Sequence, residues 1–258
     1  DVNGTKDNKV VFQGDRLQSL YADEPGQWER IWFLESKGSE IDHAIIKNGV
    51  VGLQVDTLGD ASTPAVTLNN TVITNCSSTG LLTQAGAYVV ANNCEFSNCG
   101  EYTAALTTGG RFEFTHCTFA NYWSQSTRET PALLINNFFE DRNENIRTRP
   151  IKNSEFHNCI AYGTLDDEFK FSYNSSKTVD ITFNTMLVKS TESLDDSQFY
   201  NNIYKNKDPV FKETSSIPDM HLSKESFAID KGDPANTLNR DLDENPRDGN
   251  PDLGAYEF

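Results

Sequence analysis

A six-residue phrase recurs five times in the chain, and its spacing restricts the folds that the chain can adopt. The copies occupy residues 44–49, 71–76, 94–99, 117–122 and 154–159, and each has an asparagine at its fifth place. These asparagines lie 27, 23, 23 and 37 residues apart, and they are Asn48, Asn75, Asn98, Asn121 and Asn158. The sequence therefore has a base period of 23 residues that is interrupted by insertions.

A period in the low twenties is typical of a solenoid in which each repeat forms one coil. Leucine-rich repeats share this period, but they need several leucines at fixed offsets. Here isoleucine, valine, phenylalanine and cysteine alternate with polar residues at a spacing of two, which indicates strands. The pattern predicts an all-β fold, a single-stranded parallel β-helix, in which each strand pairs with its equivalent in the next coil ~4.8 Å away.

The repeated asparagines are expected to turn the chain between strands and to stack in one column parallel to the long axis. Asparagine tolerates a left-handed backbone better than most residues with a Cβ atom. Stacked asparagines can also join their side-chain amides into a ladder. A ligand-binding column is the alternative interpretation. A second strand should follow each turn and begin at small residues that allow close approach of the next coil, namely Gly52, Gly80, Ala104 and Ala132.

The five cysteines are in register with the repeat. Cys76, Cys99 and Cys159 follow the marker asparagine, and Cys94 and Cys117 stand four places before it. Such columns are most simply buried, small apolar side chains, with disulfides as the alternative. Metal binding is disfavoured because no knuckle of two closely spaced cysteines occurs.

Charge limits the partners that the chain can bind. The 258 residues carry a formal net charge of −16, which would repel nucleic acids and anionic membrane surfaces. Anionic polysaccharides are also disfavoured unless a metal bridges them. No apolar run approaches the ~20 residues of a transmembrane helix. The first residues are neither a signal peptide nor a methionine, which suggests a mature or trimmed chain, and we expect a monomer.

Insertions after Asn121 supply the candidate binding and catalytic residues, since loops on the flank of a solenoid commonly carry its binding face. The segments 122–128 and 136–149 suggest a carbohydrate site at Trp123, Arg128 and Arg142, in a region where further arginines concentrate. Asp166, Asp167 and Glu168 are the catalytic candidates, as a carboxylate pair for glycoside hydrolysis or as calcium ligands for a uronate lyase in which an arginine is the base. A solvated acidic turn is the alternative.

The last fifty residues differ in pattern from the repeats and contain a series of short motifs. These are Asp208-Pro209-Val210-Phe211, then Ser226, Ala228-Ile229-Asp230 and Gly232, then Asp243, Asn245 and Arg247, and finally Pro-Asp-Leu-Gly-Ala-Tyr-Glu at residues 251–257. Together with the repeats, this series resembles the closing signature of right-handed parallel β-helix repeat proteins of the pectin-lyase-like superfamily. The resemblance implies right-handed coils over residues 1–206 and a closing segment, 207–258, packed on the last coil in the same domain.

The resemblance also implies secretion or exposure at a bacterial cell surface, with lipid anchoring through residues upstream of Asp1. It implies no activity, because the paired aspartates and Gly-His-Gly of polygalacturonases and the Arg-x-Pro-x-x-Arg of pectate lyases are missing. No cofactor is expected apart from calcium. Oxygen side chains at calcium-loop spacing stand at Asp241, Asp243, Asn245 and Asp252, although Pro246 occupies the place where an EF-hand loop needs glycine. The alternative is that Arg247 pairs with Asp241 or Asp230 and closes the fold.

Three functions remain open on the sequence alone. The preferred one is a noncatalytic surface or secreted protein that binds or supports polysaccharide. The second is a polysaccharide lyase or glycoside hydrolase acting in a groove along the coils. The third is a purely architectural repeat of a larger surface protein. Carboxylates from neighbouring coils that converge in a groove would favour the enzyme.

Overall fold

The computed structural model describes residues 1–36, 38–58, 62–215 and 218–258, and short strands dominate it. No helix in these residues has the length and apolar character needed to cross a membrane. The described elements include two 3-10 turns, Ser19–Tyr21 and Pro234–Asn236. The strands, in chain order, are β1 (Val2–Asn3), β2 (Val10–Phe12), β3 (Ile31–Phe33), β4 (Ser39–Asp42), β5 (Ala44–Lys47), β6 (Val51–Val55), β7 (Val66–Asn69), β8 (Val72–Thr74), β9 (Thr79–Thr83), β10 (Tyr88–Asn92), β11 (Glu95–Ser97), β12 (Ala104–Leu106), β13 (Arg111–Thr115), β14 (Thr118–Asn121), β15 (Leu133–Asn136), β16 (Phe138–Glu140), β17 (Ile146–Thr148), β18 (Ile151–His157), β19 (Ile160–Gly163), β20 (Phe169–Ser172), β21 (Val179–Val188), β22 (Tyr200–Lys205), β23 (Phe211–Glu213) and β24 (Asp219–Leu222).

The strands stack into three parallel faces, so the predicted parallel β-helix is confirmed. The first face contains β1, β4, β7, β10, β13, β18 and the start of β21, and the second contains β2, β5, β8, β11, β14, β19 and the end of β21. The third face contains β3, β6, β9, β12, β15 and β20. Val66, Val89 and Phe112 are register partners on the first face, which reproduces the period of 23 residues.

Alternation of apolar and polar residues builds the core. On β7, Val66 and Leu68 are buried while the residues between and after them are partly exposed. Aromatic rings from successive coils then stack inside, with centroids 5.1 Å apart for Phe96 and Phe119 and 4.9 Å apart for Phe114 and Phe156. Each such phenylalanine stabilises the fold by roughly 1.5–3 kcal/mol through burial.

The small residues at the start of the third-face strands have the predicted role. A Cβ atom on Gly52 would lie 2.5 Å from Cγ2 of Ile73, and one on Gly80 would lie 2.5 Å from the carbonyl oxygen of Thr103. The backbone of the next coil therefore passes too close for any side chain at these positions.

Two columns of left-handed residues turn each coil. The second column, between the second and third faces, contains Asn48, Asn75 and Asn98 with φ of 49–63°. Their amides form the expected ladder, because Nδ2 of Asn98 donates to Oδ1 of Asn75 (3.2 Å) and Nδ2 of Asn75 donates to Oδ1 of Asn48 (2.9 Å). Asn121 follows one coil later, but its amide leaves the ladder and bonds the backbone N–H and C=O of Cys99.

The expected place of Asn158 in this column is wrong. Phe156 pairs with Phe114 rather than with Phe119, so the interval across the insertion is 42 residues. Asn158 consequently lies in the first column, between the first and second faces, with φ of 55°. This column contains His43, Asn70, Asn93, His116, Asn158, Thr185 and Asn202. The phrase misled because asparagine precedes cysteine at both corners, as in Asn93-Cys94 and Asn98-Cys99.

The predicted register of the cysteines changes for the same reason. All five are free and buried. Cys76 neighbours Cys99 beside the second column, whereas Cys159 joins Cys94 and Cys117 beside the first. Burial raises the pKa of the Cys99 and Cys117 thiols well above the usual value, so these side chains behave as the predicted apolar columns.

The closing segment runs back along the outside of the second face rather than packing on the last coil alone. Its apolar residues form a second core with outward side chains of the second face, including Ala120, Ile160 and Leu187. Farther along, Tyr256 donates to buried Glu95 (2.5 Å) and Glu244 lies 3.1 Å from Nε2 of His43. Arg247 is buried and pairs with Glu257 (2.8 Å), not with Asp241 or Asp230 as the sequence alternative proposed.

Candidate functional site

The acidic triplet at 166–168 does not form a carboxylate pair in a groove. Asp166 is exposed. Asp167 accepts hydrogen bonds from the backbone and hydroxyl of Thr191, which hold its pKa below the usual value. Glu168 is completely buried and binds the guanidinium of Arg128 through both oxygens, 2.5 and 2.8 Å away. Its oxygens also accept the backbone N–H groups of Ala132 and Leu165, so this carboxylate ties two loops together.

The three predicted carbohydrate-binding residues are not brought together. Trp123 is buried with 8 % of its surface exposed, so its ring offers no open face to a sugar. Arg128 is buried in the ion pair with Glu168. Arg142 is exposed at the tip of the β16–β17 hairpin, which the insertion forms outside the coil.

The carboxylates of three calcium candidates are engaged by protein groups, and the fourth candidate, Asn245, donates its side-chain amide to Asp241 (3.1 Å). Asp241 is fully buried and accepts the N–H groups of Asn245 and Glu257. Asp252 accepts the N–H groups of Asp230 and Phe258, and Asp243 pairs with His221. Among the described residues, no group of three or more histidine, cysteine, aspartate or glutamate side chains could hold a metal ion.

A cleft of about 190 Å³ lies at the corner where the third face passes to the first. Glycine and alanine shape this corner in successive coils, since Ala85, Gly86 and Gly110 all have positive φ, and a Cβ atom on Gly110 would lie 2.3 Å from the carbonyl oxygen of Ala87. None of the described residues that line the cleft is acidic. They are Leu58, Ala85, Gly86, Tyr88, Gly110, Arg111, Arg149, Pro150, Lys152 and Asn153, and we call this site the basic cleft.

Three cations from two different coils meet in the basic cleft. Arg111 begins β13 and is the register partner of Tyr88 on β10. Arg149 and Lys152 come from the next coil, where the chain leaves the hairpin and enters β18. Within the described part of the chain, neither Arg149 nor Lys152 forms an ion pair. Arg111 pairs with Glu113, so among the described lining residues Arg149 and Lys152 supply the unpaired positive charge, on a molecule of net charge −16.

Contacts within the first face hold Arg111 and Tyr88 in position. The guanidinium of Arg111 lies 4.5 Å from the centroid of the Tyr88 ring, and its Nε donates to Glu113 (2.6 Å). The hydroxyl of Tyr88 donates to the same Glu113 oxygen (2.8 Å). Burial, and then the hydrogen bond to Glu113, raise the pKa of Tyr88, so the phenol stays protonated and neutral. The phenol of Tyr88 therefore adds no negative charge to the cleft, where the carboxylate of Glu113 pairs with Arg111.

One pair of carboxylates from neighbouring coils stands beside the basic cleft. Glu113 and Glu155 are register partners on the first face and both point outward. Glu113 is turned toward Arg111 and Tyr88, whereas Glu155 is turned toward His157, 2.9 Å away. Their side chains are 33 % and 60 % exposed, so water reaches both carboxylates.

Sequence reasoning identified the arginine-rich insertion but missed Tyr88, Arg111 and Lys152. A usable signal was present. Ala85-Gly86 and Gly109-Gly110 recur 24 residues apart, one residue more than the base period, and each pair is followed by a large polar side chain two residues or less away. That Tyr88, Arg111 and Lys152 lie near Arg149 could not be predicted, because it depends on how the coils on either side of the insertion stack. The spacing of the repeats alone predicted this stacking incorrectly.

A family model described as a right-handed beta helix region matches residues 31–211. The matched segment extends from β3 to the first residue of β23 and includes every residue of the basic cleft. The match ends before the closing signature, whose resemblance to pectin-lyase-like proteins stays a prediction. No curated protein matches the chain.

Proposed function

The chain belongs to the right-handed beta helix region family, and we propose that it is a noncatalytic polysaccharide-binding protein that holds an anionic sugar chain at the basic cleft. The observation that carries this proposal is the grouping of Arg111, Arg149 and Lys152 in one cleft of a strongly acidic protein. We further propose that it acts outside the cell or on the cell surface, as the sequence resemblance implies.

The cleft fits one acidic group of a glycan better than a long stretch of it. Guanidinium and ammonium groups donate charge-assisted hydrogen bonds to carboxylate or sulfate oxygens. The surrounding acidic surface would repel other anionic units of the chain, and this repulsion is screened at a distance of about 10 Å in 0.1 M salt. Local attraction in the cleft and general repulsion elsewhere favour a glycan with widely spaced acidic groups.

The test compares glycans that differ in charge. Binding of gellan, whose carboxylates are widely spaced, of densely charged polygalacturonate and of neutral dextran is measured by calorimetry at several salt concentrations. We expect gellan to bind more tightly than polygalacturonate and dextran not to bind at this site. Arg149→Gln with Lys152→Gln should weaken gellan binding roughly fivefold per cation, which corresponds to ~1 kcal/mol each. Arg142→Gln is the matched control, since it removes an exposed arginine outside the cleft. Equal losses in Arg142→Gln and Arg149→Gln would reject the cleft as the site.

A second candidate function is glycoside hydrolysis, which the register pairing of Glu113 with Glu155 favours. Retaining enzymes place their two carboxyl groups ~5–5.5 Å apart, close to the spacing of neighbouring strands. The same glycans are therefore assayed for new reducing ends. If a glycan is cleaved and Glu155→Gln abolishes the cleavage, glycoside hydrolysis replaces noncatalytic binding as the proposed function. Binding without cleavage supports the first proposal.

A further inference from the structure

A second concave surface lies at a different corner of the coils, where the second face passes to the third. It is a polar trough with a cavity of about 110 Å³ that follows the asparagine ladder. Asn48, Asn75 and Asn98 form its floor, and Thr74 lies beside them. The basic cleft is at the third-to-first corner, so the two sites share no residue.

The ladder ends inside the trough with an unused acceptor. Each amide donates along the column in one direction, from Asn98 to Asn75 to Asn48, and Asn48 donates to the carbonyl of Ala22 (2.9 Å). The next asparagine, Asn121, does not continue the series because its amide bonds the backbone of Cys99. In the described residues, nothing donates to Oδ1 of Asn98. An oriented column of amide dipoles thus presents a free carbonyl oxygen at its last member.

Departures from the coil repeat border this trough on both sides. The insertion before β3 supplies Asp23, whose carbonyl accepts a hydrogen bond from Asn75 (2.8 Å). The insertion after β14 supplies Ser124 and Gln125, which are exposed and have hydroxyl and amide groups. Insertions of a solenoid commonly converge on its binding surface. Among the described lining residues only Asp23 and Lys47 are charged; they lie 4.0 Å apart, and Lys47 also donates to the carbonyl of Ala22. The other described lining residues are neutral, and most have hydrogen-bond donors and acceptors in their side chains.

We propose that this trough binds a single neutral sugar unit, whose hydroxyl groups donate to Oδ1 of Asn98 and exchange hydrogen bonds with Ser124 and Gln125. Neutral amides and hydroxyls match the hydroxyl pairs of a pyranose, which both donate and accept. The cavity is smaller than the ~300–1,000 Å³ of pockets that enclose a drug-sized ligand, so only one face of one ring is held. We therefore expect affinity of about millimolar strength.

The experiment uses the full chain and three uncharged probes, methyl β-glucoside, methyl α-mannoside and methyl β-galactoside. Heteronuclear NMR follows the side-chain amide signals of Asn75 and Asn98 and the backbone signals of Ser124 and Gln125 during titration. We expect at least one sugar to shift these signals and to leave those of the basic cleft unchanged. Loss of one hydrogen bond should weaken binding roughly two- to tenfold in Asn98→Gly or Gln125→Ala.

Asn98→Gly preserves the left-handed backbone, and Asn202→Gly is its control, because Asn202 also has positive φ but lies in the first column. If Asn98→Gly does not fold, Gln125→Ala decides alone, since Gln125 is exposed. The proposal is rejected if none of the three sugars shifts these signals, or if the trough variants bind as tightly as the control. Arg149→Gln should leave the titration with neutral sugars unchanged. Neutral sugar binding in the trough can therefore be tested separately from anionic glycan binding in the basic cleft.

Discussion

Replacing Glu168 by glutamine would leave the positive charge of Arg128 buried without a counterion. The side chains of Arg128 and Glu168 are 2 % and 0 % exposed, and their closest approach is 2.5 Å. Removing one member of a buried ion pair costs ~3–5 kcal/mol, because the remaining charge cannot regain its hydration. Since whole domains are stable by only ~5–15 kcal/mol, this variant should lose a large share of its free energy of unfolding.

The expected change is measurable by thermal unfolding and by urea titration. For a chain of this size each kcal/mol lowers Tm by ~2–4 °C, so Glu168→Gln should lower it by roughly 6–20 °C. The double variant Arg128→Met, Glu168→Gln removes both charges and, like the single variant, keeps an acceptor for only one of the N–H groups of Ala132 and Leu165, since these bond different oxygens of Glu168. It should recover at least ~2 kcal/mol of the loss. Asp166→Asn, two residues away and exposed, should change stability by less than ~0.5 kcal/mol.

Two results would refute this reasoning. Loss of less than ~1 kcal/mol in Glu168→Gln would mean that water reaches the pair. A double variant no more stable than the single variant would mean that packing, rather than an uncompensated charge, sets the cost.

Further predictions concern the closing segment and the corners. Gly254→Ala should release the closing segment from the second face, because Gly254 has a φ of +87° and an added Cβ atom would lie 2.6 Å from Oγ1 of Thr118. Hydrogen exchange should then become faster in residues 207–258 only. The hydrogen bond that the imidazole of His221 donates to the carboxylate of Asp243 raises the pKa of His221 to about 9, above the 6.5 of an exposed histidine. The contribution of His221 to stability is therefore complete below pH 6.5 and is lost as pH rises through 9. Urea titrations of His221→Gln should lack this loss, and an unaltered pH profile would contradict the assignment. Asn75→Ala should lower the free energy of unfolding, measured by urea titration, by ~1–3 kcal/mol, because it removes the ladder hydrogen bonds and places alanine in a left-handed conformation. Asn75→Gly also removes these hydrogen bonds but adds no backbone strain, so it should lower the free energy of unfolding less. Equal losses in the two variants would argue against a contribution from strain. A thiol reagent should modify none of the five cysteines of the folded chain, and mass spectrometry showing rapid labelling would contradict their burial.

The predicted site residues illustrate where sequence reasoning stopped. The arginine-rich insertion correctly indicated where cationic side chains gather, since Arg149 lines the basic cleft. Arg128 and Glu168 were singled out for binding and catalysis, yet they meet each other across 40 residues and neutralise one another. Charged residues in loops look alike in a sequence whether they face solvent or an opposite charge, because their pairing depends on contacts between coils.

The sequence by itself determined the coil. Its alternation of apolar and polar residues assigns each side chain to the inside or outside, and its asparagines and glycines mark corners where left-handed backbone is allowed. These are local properties, and each short stretch carries them independently. Only the tertiary structure decided how coils align across the long insertion, which moved Asn158 and Cys159 to another corner. It also decided that the closing segment covers the second face and that Tyr88, Arg111, Arg149 and Lys152 share a cleft, because such contacts depend on burial and charge pairing between distant residues rather than on local pattern.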